Sequence, residues 1–213
     1  MNGLGFFIYA FFSIFVVVSP LSGVVTFISL TSNMTLSEKN EIGKKASILA
    51  CLIAIFFAVL GNKLLGVFGI DVDSLRIAGG ILLFTIAFDM MHAKISAESI
   101  TEEEINRSQE RDDIWIFPIA LPLLTGPGTI SAVIVLMGTA PGIQEKAMII
   151  VAIIFTFAIT LVMLLFSRKI HKFIGYNGML VFTRLMGLFL AALAVDLVST
   201  GIKNIFPCLG TIA

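Results

Sequence analysis

The chain has 213 residues, of which 58% are hydrophobic and 13% charged, and its mean hydropathy is +1.04. That apolar share is far above a soluble domain's and leaves no room for a large aqueous one. Fourteen basic residues balance 14 acidic ones, so there is no electrostatic footprint for nucleic acid.

Read with a window of about 20 residues, the sequence predicts an all-α polytopic membrane protein with six spans. The first, Gly3 to Leu30, contains Ser19-Pro20-Leu21-Ser22-Gly23 and is long enough to hold a break and still cross. Its start lacks a basic region, so it is expected to be retained rather than cleaved as a leader. Span 2 covers Ala46 to Phe68, nearly bare of polar groups in its first half. Span 3, Ser74 to Ala93, carries Arg76, Gly79 and Asp89. A charged linker, Lys94 to Asp113, follows and is read as solvated. Span 4, Ile114 to Met137, contains Leu121-Pro122-Leu123-Leu124-Thr125-Gly126-Pro127-Gly128. Span 5 covers Ala147 to Phe166, and span 6, Leu180 to Gly201, carries Arg184, Gly187 and Asp196.

Connections after spans 1, 3 and 5 hold nine Lys and Arg residues, against two (Lys63 and Lys146) after spans 2 and 4. This bias predicts that both termini lie outside the cytoplasm and favours a fourth span that crosses over a re-entrant hairpin. The halves 1–93 and 114–213, joined by linker 94–113, look like copies. Each has a broken first span, and a third with Arg, Gly three residues on and a later Asp. Three spans per half is an odd number, so the copies are inverted relative to each other, as in many secondary transporters.

Within one helix the Arg and Asp lie about 19 Å apart, too far to pair. Inversion predicts Arg76 with Asp196 and Arg184 with Asp89, because buried charge seeks a partner. These four are the candidate gating or coupling residues, with snorkelling to the interface as the plainer alternative. Each proline removes a backbone donor and disfavours helix at the preceding residue, Ser19 or Leu121. Ser22 and Thr125 are the expected N-caps of the second half-helices, and Gly23 and Gly126 tolerate unusual dihedrals. Each break thus joins a carbonyl-rich negative end to an amide-rich positive end, which suits a zwitterion, a small anion or a paired cation. Candidate substrate-binding residues are Ser19, Ser22, Gly23, Thr125, Gly126, Gly128, Thr129 and Ser131.

The run Phe117-Pro118-Ile119-Ala120-Leu121-Pro122-Leu123-Leu124-Thr125-Gly126-Pro127-Gly128-Thr129-Ile130 closely resembles the signature of the MarC family of bacterial six-helix membrane proteins. Val18 to Gly23, Ser74 to Gly80 and Thr183 to Gly187 match its other motifs. The resemblance implies an inner-membrane transporter of small neutral amino acids such as alanine or glycine. The chain departs from the usual first motif, Asn-Pro with a further proline later on: Ser19 stands for the Asn, and Val24-Val25-Thr26-Phe27 lacks the proline.

The expected partners are therefore a small-molecule substrate, with proton or sodium coupling, and membrane lipid; a homo-oligomer is compatible with the pattern. No catalytic, cofactor or metal constellation is read, and an enzyme is not expected. The alternatives are a channel or structural membrane protein, with few polar side chains to line a pore, and a thiol oxidoreductase. The latter needs a cysteine at each break, whereas Cys51 and Cys208 are near neither. His92 and His171 read as interfacial residues.

Overall fold

The computed structural model describes residues 3–92 and 114–207. The predicted linker 94–113, with Lys94, Arg107 and Arg111, lies outside the described residues, as does Cys208. Among the described residues eight helical segments follow in chain order: α1 (Gly3–Val18), α2 (Pro20–Leu30), α3 (Leu36–Val67), α4 (Val72–Met91), the π-type α5 (Trp115–Leu124), interrupted at Phe117 and Leu121, α6 (Pro127–Thr139), α7 (Ile143–Leu165) and α8 (Ser167–Ile205). Five stretches among the described residues are long and apolar enough to cross a bilayer: Gly3–Leu30, Leu36–Val67, Val72–Met91, Ile143–Leu165 and Asn177–Ile205. The pair α5 and α6, bent by 55°, makes a sixth if it is one span.

The side chains are distributed as lipid demands. Along α3, Ala46, Ala50, Ala54 and Ala58 recur every four residues and are buried, as is Gly61, while the large Ile48, Leu52, Phe56 and Val59 are exposed. Lipid tails are as apolar as leucine, so hydrophobicity does not drive large side chains inward; small residues at the interface let helix backbones approach and gain contact. A capping box opens this helix, with Thr35 N donating to Glu38 Oε2 at 2.7 Å and Glu38 N donating to Thr35 Oγ1 at 3.4 Å.

Close contacts set the helix directions. An added Cβ on Gly201 would lie 3.0 Å from Asp73 O, on Gly80 2.9 Å from Ala194 O, and on Gly187 3.0 Å from Ala87 O. α4 and α8 are therefore antiparallel with their backbones nearly touching, and theirs is the most extensive helix pairing in the fold. Gly79 meets Ser131 and Gly128 meets Leu83, making α4 antiparallel to α6 as well. The Phe11 and Phe155 rings pack at a tilt, 5.3 Å between centroids, and Gly3 meets Met148, so α1 runs parallel to α7. Along α3, Lys45 lies over the Trp115 ring (5.8 Å), Thr125 donates to Ala50 O, and Ile134 packs on Gly61. The α5–α6 segment thus advances along α3 over 16 residues, about 24 Å, without turning back.

One break was not anticipated from sequence. Gly175 sits at φ 70 within α8, a left-handed conformation open to glycine at little cost. It separates the segment 167–174 from the long apolar stretch that follows.

Candidate functional site

Both residues preceding the site prolines leave helical geometry, as the proline clash requires. Leu121 is extended (φ −126, ψ 128). Ser19 is left-handed (φ 45, ψ 64), a state that costs a residue with a Cβ about 1–2 kcal/mol. Backbone bonds bridge the first break from Ser19 N to Phe15 O (3.0 Å) and from Gly23 N to Ser19 O (3.1 Å), but none runs from Leu21 or Ser22 back to α1. Pro20 has no N–H to give. At the second break α5 widens into π-type turns, with Thr125 N donating to Ala120 O at 3.0 Å, and α6 then starts at Pro127.

The two breaks meet around a cavity of about 170 Å³. Val17 and Val18 bring the carbonyl end of α1, and Ser19, Ser22 and Gly23 the amide end of α2. Pro122 and Leu123 bring the end of α5, and Gly126, Gly128 and Thr129 the start of α6; Ile86 and Met90 of α4 close it with apolar side chains. The starts of α2 and α6, the end of α1 and the irregular end of α5, non-helical at Phe117 and Leu121, therefore converge on one space, with no charged side chain lining it. The Ser19 hydroxyl donates to Ser22 Oγ at 2.9 Å. Thr129, 4% exposed, points its hydroxyl back to Leu124 O at 3.5 Å.

Six of the eight predicted binding residues line this cavity; Thr125 and Ser131 do not. Thr125 is fully buried and spends its hydroxyl on Ala50 O of α3, 3.1 Å away. It staples the break to the neighbouring helix. Ser131 packs against Gly79. The expected caps also move: Gly126, in extended geometry, occupies the N-cap of α6, and Ser19 that of α2, neither with a side-chain cap bond. A single-residue break at Ser19 places Ser22 already inside the first turn of α2.

The predicted Arg76–Asp196 pair does not form. Arg76, 7% exposed, donates from Nη1 to Asp73 Oδ1 at 2.8 Å, and Asn204 Nδ2 of α8 donates to the same oxygen at 2.9 Å. Asp73 lies one turn before Arg76 on the same helix face, the spacing at which such pairs meet, so the cost of burying the guanidinium is met locally. Asp196 instead faces α1. Among the described residues, Arg184 and Asp89 likewise form no ion pair; Arg184 is exposed and Asp89 half-buried. Sequence reasoning missed Asp73, although its spacing was readable, and also Ile86 and Met90, which nothing marks as cavity walls until α4 is packed.

A helical bundle with a buried apolar core and large apolar side chains such as Phe12, Phe56, Phe88, Phe155 and Phe189 exposed along long apolar helices defines an integral, multi-pass membrane protein. The sequence profile of the MarC family integral membrane proteins matches residues 4–206. The chain belongs to that family. It is 37% identical over 205 residues to the UPF0056 membrane protein YvbG of Bacillus subtilis, covering 96% of this chain and 97% of the relative. A UPF0056 membrane protein of Methanocaldococcus jannaschii is 40% identical over 94% of this chain and 98% of its own length. Identity to the UPF0056 membrane protein YhcE of Escherichia coli is 35%, over 92% of each chain. No solved structure matches.

Proposed function

We propose that the protein is a secondary transporter of a small neutral amino acid across the cytoplasmic membrane, working by alternating access around the cavity where the two breaks meet. The observation that carries this reading is the convergence of two helix starts, α2 and α6, and the carbonyl end of α1 on one small cavity that no charged side chain lines. Free N–H groups at a helix start stabilise an anion by about 0.3–1 kcal/mol, up to about 2 when partly buried. Carbonyls at a helix end do the same for a cation. A substrate with one carboxylate, one ammonium and no net charge satisfies both, its carboxylate on the starts of α2 and α6 and its ammonium at the carbonyls of Val17 and Val18. Ile86 and Met90 leave room on the remaining side for a small apolar side chain.

Six spans in two inverted three-helix repeats fit the helix directions. α1, α4 and α7 run one way, and α3, α5–α6 and α8 the other, so each helix of the first half opposes its counterpart in the second. The steady advance of α5–α6 along α3 supports a broken span over a re-entrant loop. Rocking one repeat against the other would open the cavity to each side in turn. Arg76, Asp89, Arg184 and Asp196 lie away from the cavity lining, so any gating by them acts through helix position. The Lys and Arg bias supports both termini lying outside the cytoplasm.

Counterflow of radiolabelled alanine, glycine and serine in liposomes, with and without a proton or sodium gradient, tests the reading. Gly128→Val is the informative variant, because a Cβ there would lie 2.8 Å from Leu83 Cδ2 and 3.2 Å from Ile86 Cδ1, side chains that can shift while the cavity fills. Exchange by the native chain with at least tenfold loss in the folded variant is expected. Undiminished exchange by Gly128→Val would remove the site from the cavity, and no exchange by folded native protein would remove the amino acid reading.

A further inference from the structure

A second concavity shares no residue with the cavity between the breaks. It is a groove of about 580 Å³ between α1 and α8, walled largely by apolar side chains such as Phe12, Phe189 and Leu193. Phe12 and Phe189 are both more than half exposed, so the groove opens where these helices face lipid. Its polar groups are Tyr9, Ser13 and Asp196. Asp196 lies nine residues before the end of α8 at Ile205, about 13 Å along the helix. The apolar stretch Asn177–Ile205 spans 29 residues, about 43 Å against a hydrocarbon core of about 30 Å. With that stretch centred on the core, the carboxylate lies about 7 Å below the level at which lipid headgroups begin.

A carboxylate at that depth is costly unless it is paired. Among the described residues Asp196 makes no ion pair, and Arg76, the partner expected from sequence, is held by Asp73. Tyr9 and Asp196 line the same groove, so its mouth presents a carboxylate beside a phenol. A lipid with an ammonium headgroup suits both parts of the groove, its cation at the carboxylate and its acyl chain on the apolar walls.

We propose that this groove holds one phosphatidylethanolamine molecule, an acyl chain lying between α1 and α8 and the primary ammonium donating to the Asp196 carboxylate. Phosphatidylcholine has the same charges, but its quaternary ammonium has no N–H to donate and cannot replace it. The site is independent of the transport reading.

Native mass spectrometry of the full chain, released from nanodiscs of equal parts phosphatidylethanolamine, phosphatidylcholine and phosphatidylglycerol, tests this. One retained phosphatidylethanolamine is expected, favoured about fivefold over either other lipid, as fits an ion pair at the top of the range for exposed pairs. Asp196→Asn should abolish the preference while leaving total lipid retention unchanged, and Asp196→Glu should keep it. Ala192→Trp, which fills the groove without altering charge, should remove the adduct from protein that still elutes as a monodisperse peak. Equal retention of the three lipids, a preference for phosphatidylglycerol, or an intact preference in Asp196→Asn overturns the proposal. A dimer in place of the adduct, dissolved by Ala192→Trp, would overturn it too and assign the groove to a second copy of the chain.

Discussion

The seam between α4 and α8 makes a quantitative prediction. A Cβ at Gly80 would lie 2.7 Å from Val198 Cγ2, 2.9 Å from Ala194 O and 3.2 Å from Val198 N. Two of these three atoms belong to backbone and cannot swing aside, so Gly80→Ala must push the helices apart and loosen the contacts at Gly187 and Gly201 further along. Overpacking of a tight interior costs about 1–3 kcal/mol, and a backbone obstacle places the cost near the top of that range. The helix propensity gained by replacing glycine returns about 1 kcal/mol, leaving a net loss of about 2 kcal/mol. For a chain of this size each kcal/mol moves the midpoint by about 2–4 °C, so thermal unfolding in detergent, followed by the loss of a monodisperse chromatographic peak, should begin about 4–8 °C lower. Gly66→Ala is the control. Nothing lies within 4 Å of its added Cβ, and the propensity gain should appear undiminished as a small rise. If Gly80→Ala were as stable as Gly66→Ala, the two backbones would not be in contact at Ala194, and the antiparallel register derived from that contact would be wrong.

Three further outcomes follow from the site. Thr125→Val keeps shape but removes the bond to Ala50 O; a loss of about 0.6–1.5 kcal/mol is expected, and stability equal to native would show that the staple contributes nothing. Ser19 at φ 45 occupies a conformation that asparagine visits more readily than serine and that β-branched residues avoid, so Ser19→Asn should match or exceed native thermal stability while Ser19→Val falls below both; the reverse order would place Ser19 elsewhere in dihedral space. A double-mutant cycle of Arg76→Gln with Asp73→Asn should give a coupling of at least about 0.5 kcal/mol, and the same cycle with Asp196→Asn a value within error of zero. Coupling to Asp196 alone would restore the cross-helix pair.

The departure from the family's first motif acquires a physical meaning here. The structure places Ser19 in a left-handed conformation, which an asparagine, the residue the resemblance implies before this proline, adopts more readily. Serine keeps a hydroxyl in the cavity, bonded to Ser22, but gives up part of the asparagine's conformational ease.

Hydropathy and the prolines by themselves determined that the chain is a multi-pass membrane protein, where its apolar stretches lie, and that Ser19 and Leu121 leave helical geometry. These are local matters: the transfer cost of a segment and the steric clash before a proline need no tertiary partner to act. The small-residue spacing of α3 and the glycines of α4 and α8 were equally open to reading as close-packing surfaces. Tertiary structure alone decided which neighbour each polar group meets. Thr125 turned to Ala50 rather than to the cavity, Arg76 stayed with Asp73 and Asn204, Ile86 and Met90 became cavity walls, and Asp196 came to face α1. Successive residues on a helix are rotated by about 100°. Spacing therefore tells which side chains share a face. What that face meets depends on how far the helices slide and turn until their backbones touch, and that was decided at Gly80, Gly187 and Gly201.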